Sequence, residues 1–130
     1  NVPQFDTSNV SSMAWMFANC FDLTTVPLLD ATHVLWMTAT FDGCGKLTNI
    51  GGFKNLGSER NIDIVFTDTF RDCPNITRES VLNIFNNLYD RASAEYPVSQ
   101  LYFERAVGEK LTYSDLAIAT NKGWTIGFYS

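Results

Sequence analysis

Histidine is almost missing from this chain, since His33 is the single one in 130 residues. A metal centre or a histidine-activated nucleophile would have to be built around that one ring. No serine, cysteine or carboxylate stands at a telling spacing from it, so a surface loop is the expected place for His33. The G-x-S-x-G, H-E-x-x-H and C-x-x-C patterns do not occur, and Gly43-Cys44-Gly45 is too short to cradle a phosphate. No apolar run reaches the roughly 18–20 residues of a membrane span. The first residues hold no basic stretch followed by an apolar core, so no leader is read there. Basic residues are scarce as well: nine Lys and Arg stand against fourteen Asp and Glu, a net charge of −5. A nucleic-acid partner would want a basic face. These gaps predict a chain with no enzymatic activity, no cofactor and no metal.

Cysteines number three, an odd count for a disulfide framework. What is present explains them. Phe17, Cys20, Leu23 and Val26 recur 24 residues later as Phe41, Cys44, Leu47 and Ile50. Phe70, Cys73 and Ile76 write the pattern again 29 residues further on, and Thr24, Thr48 and Thr77 close each copy. A fixed period of this length is the signature of a repeat protein, whose units cannot bury their apolar faces alone. The three phenylalanines are therefore expected as one buried column, with the three cysteines as a second column of free, slowly reacting thiols beside it. Apolar residues make 45% of the chain, so it is not expected to be disordered, and its length suits one domain.

Taken in order, Asn1-Val2-Pro3 matches Thr25-Val26-Pro27, and Phe5-Asp6 matches Leu29-Asp30, so the chain reads as the C-terminal part of a longer array with a raw N-terminal edge at Val2 and Phe5. Asp6-Thr7-Ser8-Asn9 is turn chemistry. Val10, Met13, Met16 and Phe17 have the spacing of a short helix. Leu23–Leu29 has the form of a strand, with Leu23, Val26 and Leu28 pointing into the core and Thr25 and Pro27 pointing out. In the second copy Gly51-Gly52 interrupts that strand. Lys54–Asn61 reads as a surface loop. Thr77 caps a longer helix carrying Val81, Leu82, Ile84, Phe85, Leu88 and Tyr89 on one stripe. Ser93–Ser99 is a connection, Leu101–Phe103 a strand, and Thr112–Asp115 a capping box that opens a second helix. Gly123 ends that helix, and Trp124–Phe128 is the last strand. Residues 1–76 are thus expected as repeat coils and 77–130 as a cap, closed by Leu116, Ile118, Trp124 and Ile126.

With F-x-x-C-x-x-L-T repeating at 24 residues, the chain resembles the BspA-type leucine-rich repeats. The resembling phrases are Phe5–Met13, Met16–Cys20 and Leu23–Pro27, together with the ending Ala117–Thr125. The resemblance implies an α/β fold: a leucine-rich-repeat-like, right-handed solenoid with a parallel sheet, short helices and a C-terminal cap. It implies a non-enzymatic recognition or adhesion module, secreted or at a bacterial cell surface, with relatives among phage proteins. The partner would be a host or bacterial surface protein or a glycan, with no nucleic acid, no membrane insertion and a monomeric chain. A purely structural spacer and end cap is the alternative. An exposed aromatic and polar patch on the sheet face favours binding, whereas a bland face of Thr, Asn and Gly favours the spacer.

The outward positions of the strands are Thr25, Pro27, Asn49 and Gly51 in the repeats and Tyr102, Glu104 and Thr125 in the cap, and all of these but Gly51 are the candidate ligand contacts. Asp6, Asp30 and Glu59 share a repeat slot that suits turn carboxylates better than a calcium ladder. Asp42, Asp68 and Asp72 are expected as solvated charges. Among the aromatics, Phe21, Tyr89, Tyr96, Tyr102, Tyr113, Trp124 and Tyr129 are expected mostly as core or cap filler. Trp15 and Trp36 stand outside the repeat pattern and are freer to be exposed, where either could stack on a sugar or anchor a protein partner.

Overall fold

A computed structural model describes residues 3–58, 66–92 and 99–129. The chain is mixed α/β, with short parallel strand pairs and three helices among these residues. No helix among them is long and apolar enough to cross a membrane.

The stretch from Val10 to Cys20 is not a helix. It is a chain of turns in which Met16, Ala18 and Cys20 donate N–H to the carbonyls of Met13, Trp15 and Phe17, at 3.1, 3.2 and 3.1 Å. Trp15 and Asn19 have φ of 63° and 60°, which no α-helix accommodates. A positive φ at the third residue is what a type II turn requires. The amides between the closing donors point the other way. Met13, Trp15, Phe17 and Asn19 donate to the carbonyls of Trp36, Thr38, Thr40 and Asp42 on the next rung, at 2.8, 2.9, 2.9 and 2.7 Å. Ala39, Phe41 and Gly43 repeat this toward Thr67, Thr69 and Arg71, at 2.8, 2.9 and 3.0 Å. The left-handed slots recur with the sequence period, as Trp15, Ala39 and Asp68, and as Asn19, Gly43 and Asp72. Apolar spacing of three and four serves this turn ladder as well as a helix, because both close over three or four residues.

Four two-residue strands follow: β1 (Thr25–Val26), β2 (Leu29–Asp30), β3 (Asn49–Ile50) and β4 (Phe53–Lys54). β1 pairs with β3 and β2 with β4, both parallel, with Thr25 opposite Asn49 and Leu29 opposite Phe53. That register equals the 24-residue sequence step. The expected strand is broken between Val26 and Leu29, which corrects the side-chain assignment. Leu28 is exposed while Leu29 is wholly buried. The break recurs at Gly51-Gly52. A β-carbon on Gly51 would lie 2.3 Å from the Leu28 nitrogen, so only glycine lets the two rungs close there. Lys54–Asn61 is only partly a surface loop. Lys54 belongs to β4, Leu56 is buried and bridges to Leu88, and Glu59 to Asn61 lie outside the described residues.

The aromatic column forms. Phe17, Phe41 and Phe70 stack at centroid distances of 5.5 and 5.8 Å with planes within 10°. A fourth ring, Phe103, joins Phe70 at 4.9 Å. Phe41 and Phe70 are buried, whereas Phe17 is half-buried at the first rung. The cysteines are free, and Cys44 and Cys73 are buried, but Cys20 is only partly so. That corrects the expectation of three equally shielded thiols. Two threonines lock rungs together: Thr40 Oγ1 donates to the carbonyls of Met13 and Met37, and Thr69 Oγ1 to those of Met37 and Phe66.

The C-terminal elements change sides. α1 (Arg78–Asn87) starts at Thr77, whose hydroxyl accepts from Ser80 N. It lies along β3, where a third strand would have paired. Ser80 Oγ accepts from Ile50 N at 2.9 Å and donates to the Thr48 carbonyl at 2.8 Å, and Asn83 Nδ2 donates to the Ile50 carbonyl at 3.0 Å. Side chains thus satisfy a sheet edge that would otherwise invite another strand. At the helix C-terminus Lys122 Nζ donates to the carbonyls of Phe85, Asn86 and Leu88, where a cation suits the dipole.

β5 (Ser99–Glu104) leads through α2 (Arg105–Gly108), a helix the sequence did not announce, to α3 (Tyr113–Thr120) and β6 (Trp124–Tyr129). Thr112 and Asp115 form the expected capping box. Gly123 at φ 83° follows the helix. β5 and β6 are parallel, with Phe103 opposite Phe128, and Phe103 brings β5 to the phenylalanine column. Trp124 is buried as expected, while Leu116, Ile118 and Ile126 are half-buried.

Candidate functional site

The six candidate contacts do not share one face. β1–β3, β2–β4 and β5–β6 are separate two-stranded sheets, so the outward rows of the repeat strands do not run on into the cap strands. The physical reason is α1, which occupies the β3 edge and displaces the cap strands to the turn-ladder side of the core.

Thr25, Pro27 and Asn49 do come together, with Gly51. They line a depression of about 330 Å³ whose far wall is Thr77, Glu79, Ser80 and Asn83 of the α1 N-terminal region. Its lining mixes the hydroxyl and amide groups of Thr25, Asn49, Thr77, Ser80 and Asn83 with the apolar Val26, Pro27 and Ile50; Glu79 brings the only charge and no aromatic lines it. Hydroxyls and amides of this kind offer donors and acceptors with little cost of desolvation. Ser80 and Asn83 are already engaged with the β3 backbone, so little of the lining is held for a ligand.

Tyr102, Glu104 and Thr125 belong to the outer face of β5 and β6. The Tyr102 ring lies across Gly127, where an added β-carbon would come within 2.5 Å of it, and its centroid is 5.7 Å from that of Tyr129. Glu104 Oε2 accepts from the Asp72 amide at 3.2 Å, so this carboxylate ties β5 to the turn ladder. Tyr129 donates its hydroxyl to Asp68 at 3.4 Å, and burial, reinforced by Asp68, pushes its pKa up to about 12.

The acidic residues sort themselves by geometry. Asp6 and Asp30 make the same turn one rung apart: Asp6 Oδ1 accepts from the amide and hydroxyl of Ser8, and Asp30 Oδ1 from those of Thr32. Both carboxyl groups are held below their ordinary pKa by those side-chain and backbone bonds. Among the described residues no three His, Cys, Asp or Glu side chains converge as metal ligands would. Asp42 is not the solvated charge that was expected. It is buried and grips Arg71 through two bonds, Nη2 to Oδ2 at 2.6 Å and Nε to Oδ1 at 3.0 Å, while Arg71 also reaches Asp68 at 3.4 Å. The repeat slot of Asp42 held this signal, because residue 71 is its counterpart one rung on and opposite charges stack there. His33 is exposed, as expected.

The aromatics overturn the expectation of filler. Trp124 is buried, with the Arg91 guanidinium 5.8 Å above its ring. Phe21, Tyr89, Tyr102 and Tyr113 are exposed, Tyr129 is half-buried, and Tyr96 lies outside the described residues. Trp15 and Trp36 are 61% and 45% exposed. They stand on neighbouring rungs of the turn ladder, where Ser12 bridges to Trp36 and the Trp15 amide donates to the Thr38 carbonyl. Trp15 takes its left-handed backbone from the turn slot it shares with Ala39 and Asp68, and its ring stays exposed there. Compared with family models, curated proteins and solved structures, the chain matches none.

Proposed function

We propose that this chain is part of a right-handed, leucine-rich-repeat-like solenoid of BspA type, with residues 1–76 as repeat coils and 77–130 as a cap, and that it serves as a non-enzymatic recognition module on a cell surface or in the extracellular medium. The observation that carries the recognition role is the pair of exposed tryptophans on adjacent rungs. Rigid rings with a polar N–H bury much area at small entropic cost against a sugar face or a protein side chain. The contact surface is therefore placed on the turn ladder, around Trp15 and Trp36, instead of on the strand face. Repetition of weak contacts along such a surface would add avidity on a polymer or a crowded cell surface.

A structural spacer is the second reading, and the depression at Thr25, Pro27 and Asn49 favours it. Its lining of Thr, Ser, Asn, Gly and aliphatic side chains, with no aromatic ring, is the bland face expected of a spacer. A glycan array and a pulldown from surface-protein extracts, both with the whole chain, separate the readings. The expected result is a ligand whose binding weakens at least about tenfold, or about 1.4 kcal/mol, in Trp15→Ala and Trp36→Ala, with little change in Thr25→Glu and Tyr102→Ala. A ligand lost only in Thr25→Glu returns the site to the strand face. No ligand in either screen leaves the spacer.

A further inference from the structure

The three tryptophans meet different electrostatic surroundings. Trp124 is buried, and the Arg91 guanidinium lies 5.8 Å from its ring centroid. Trp15 and Trp36 are exposed, and among the described residues no cation lies over either ring. Trp36 keeps its exposure although Ser12 of the rung before bridges to it.

The sequence explains the difference. All nine Lys and Arg stand at Lys46 or after it, while Asp6, Asp22, Asp30 and Asp42 are the carboxylates before it. Two of the later cations are spent on this half of the chain as ion pairs: Lys46 with Asp22 at 3.2 Å, and Arg71 with the buried Asp42 at 2.6 Å. Lys54 lies opposite Asp30 and offsets part of its charge. Asp6 and Asp30 stay ionised, because the hydroxyls and amides of Ser8 and Thr32 hold both carboxyl groups below their ordinary pKa. A tryptophan face is itself electronegative and attracts an ammonium or guanidinium group within about 6 Å of its centroid. Ring faces and carboxylates here therefore add with one sign. Such a surface repels phosphate, sulfate and carboxylate ligands, and its charge contributes nothing toward a neutral sugar.

We infer that the face around Trp15 and Trp36 binds a cationic segment of a protein partner, with arginine or lysine side chains laid over the two indole rings. The carboxylate excess of residues 1–45 steers that segment in. Trp124 and Arg91 make the same contact within the chain. The inference rests on the recognition role proposed for the two tryptophans and names the chemistry of their ligand.

The test titrates the full chain with an octa-arginine peptide, an octa-glutamate peptide and dextran as a neutral polysaccharide, read by indole fluorescence and calorimetry. Octa-arginine alone is expected to bind. Its affinity should fall at least tenfold in Trp36→Ala and in Trp15→Ala. Alanine is accepted at position 15 because Ala39 takes the same left-handed backbone at φ 53°. Trp36→Leu keeps an apolar side chain but should lose the cation as well, since leucine has no electronegative face. Asp6→Asn with Asp30→Asn retains the turn acceptors and should weaken binding several-fold, as should raising salt from about 50 to about 300 mM. Unchanged melting temperatures show that these variants stay folded. Octa-arginine binding that is equal in the parent and the tryptophan variants overturns the inference, because the net charge of −5 then accounts for it. Dextran or octa-glutamate bound through Trp15 and Trp36 overturns it too, while the recognition role survives. If no probe depends on the tryptophans the inference is overturned, and the glycan array and pulldown decide the recognition role.

Discussion

The Cys73 thiol donates to the Phe41 carbonyl across 2.9 Å, and Cys44 makes the same bond to Phe17 at 3.1 Å. Each thiol thus joins its own rung to the phenylalanine of the rung before. The repeat unit F-x-x-C is in this sense one hydrogen bond written twice in sequence, once as acceptor and once as donor.

Burial pushes the Cys44 pKa up to about 11 and that of Cys73 to about 12, so neither thiol offers appreciable thiolate at neutral pH. Native-state alkylation at pH 8 is expected to label Cys20 first and alone. Cys44 and Cys73 should follow only at the rate of unfolding. Because their folded values lie above the unfolded one, the stability they contribute is present below pH about 9 and is lost as pH rises through about 11 to 12. A melting temperature that holds steady from pH 9 to 12 would refute this.

The phenylalanine column should be unequal along its length. Phe41→Ala removes a ring stacked on both faces and is expected to cost about 3–5 kcal/mol. Phe17→Ala removes a half-buried ring stacked on Phe41 and should cost clearly less. Denaturant unfolding of the two variants measures the difference, and equal losses would contradict the exposure of the first rung.

Ser80 substitutes for a strand. Ser80→Ala leaves the Ile50 amide and the Thr48 carbonyl without their side-chain partner in a buried setting, which costs about 1–3 kcal/mol. Hydrogen exchange at the Ile50 amide should accelerate in this variant more than at Asn49. Unchanged exchange at Ile50 would mean that the helix does not protect the sheet edge.

Asp115 is held well below the usual carboxylate range, first by the Arg78 guanidinium at 2.8 Å and next by the Thr112 amide. Its contribution is complete above the unfolded pKa of about 4 and is lost as pH falls through the lower folded value. Melting temperatures measured from pH 5 down to pH 2 should fall steeply for the parent chain. The slope should be shallower for Asp115→Asn, which starts less stable at pH 7 because its ion pair with Arg78 is already gone.

Sequence alone determined the features that depend on slot or on near neighbours. The period placed Phe41 above Phe17 and Cys44 above Cys20, because a fixed step in sequence becomes a fixed step in space once rungs stack. Thr77, the Thr112–Asp115 capping box and Gly123 were legible because a cap acts within four residues. Tertiary structure decided the rest. Val10 to Cys20 became turns and not a helix because its alternate amides found carbonyls on the next rung, and both solutions tolerate the same apolar spacing. Leu29 went inward instead of Leu28 because the chain bends where Gly51 lets two backbones meet. Asp42 was buried because Arg71 reached it from 29 residues away. The candidate contacts were divided between two faces because Ser80 and Asn83 closed the β3 edge, and a sheet continues only while its edge hydrogen bonds remain open.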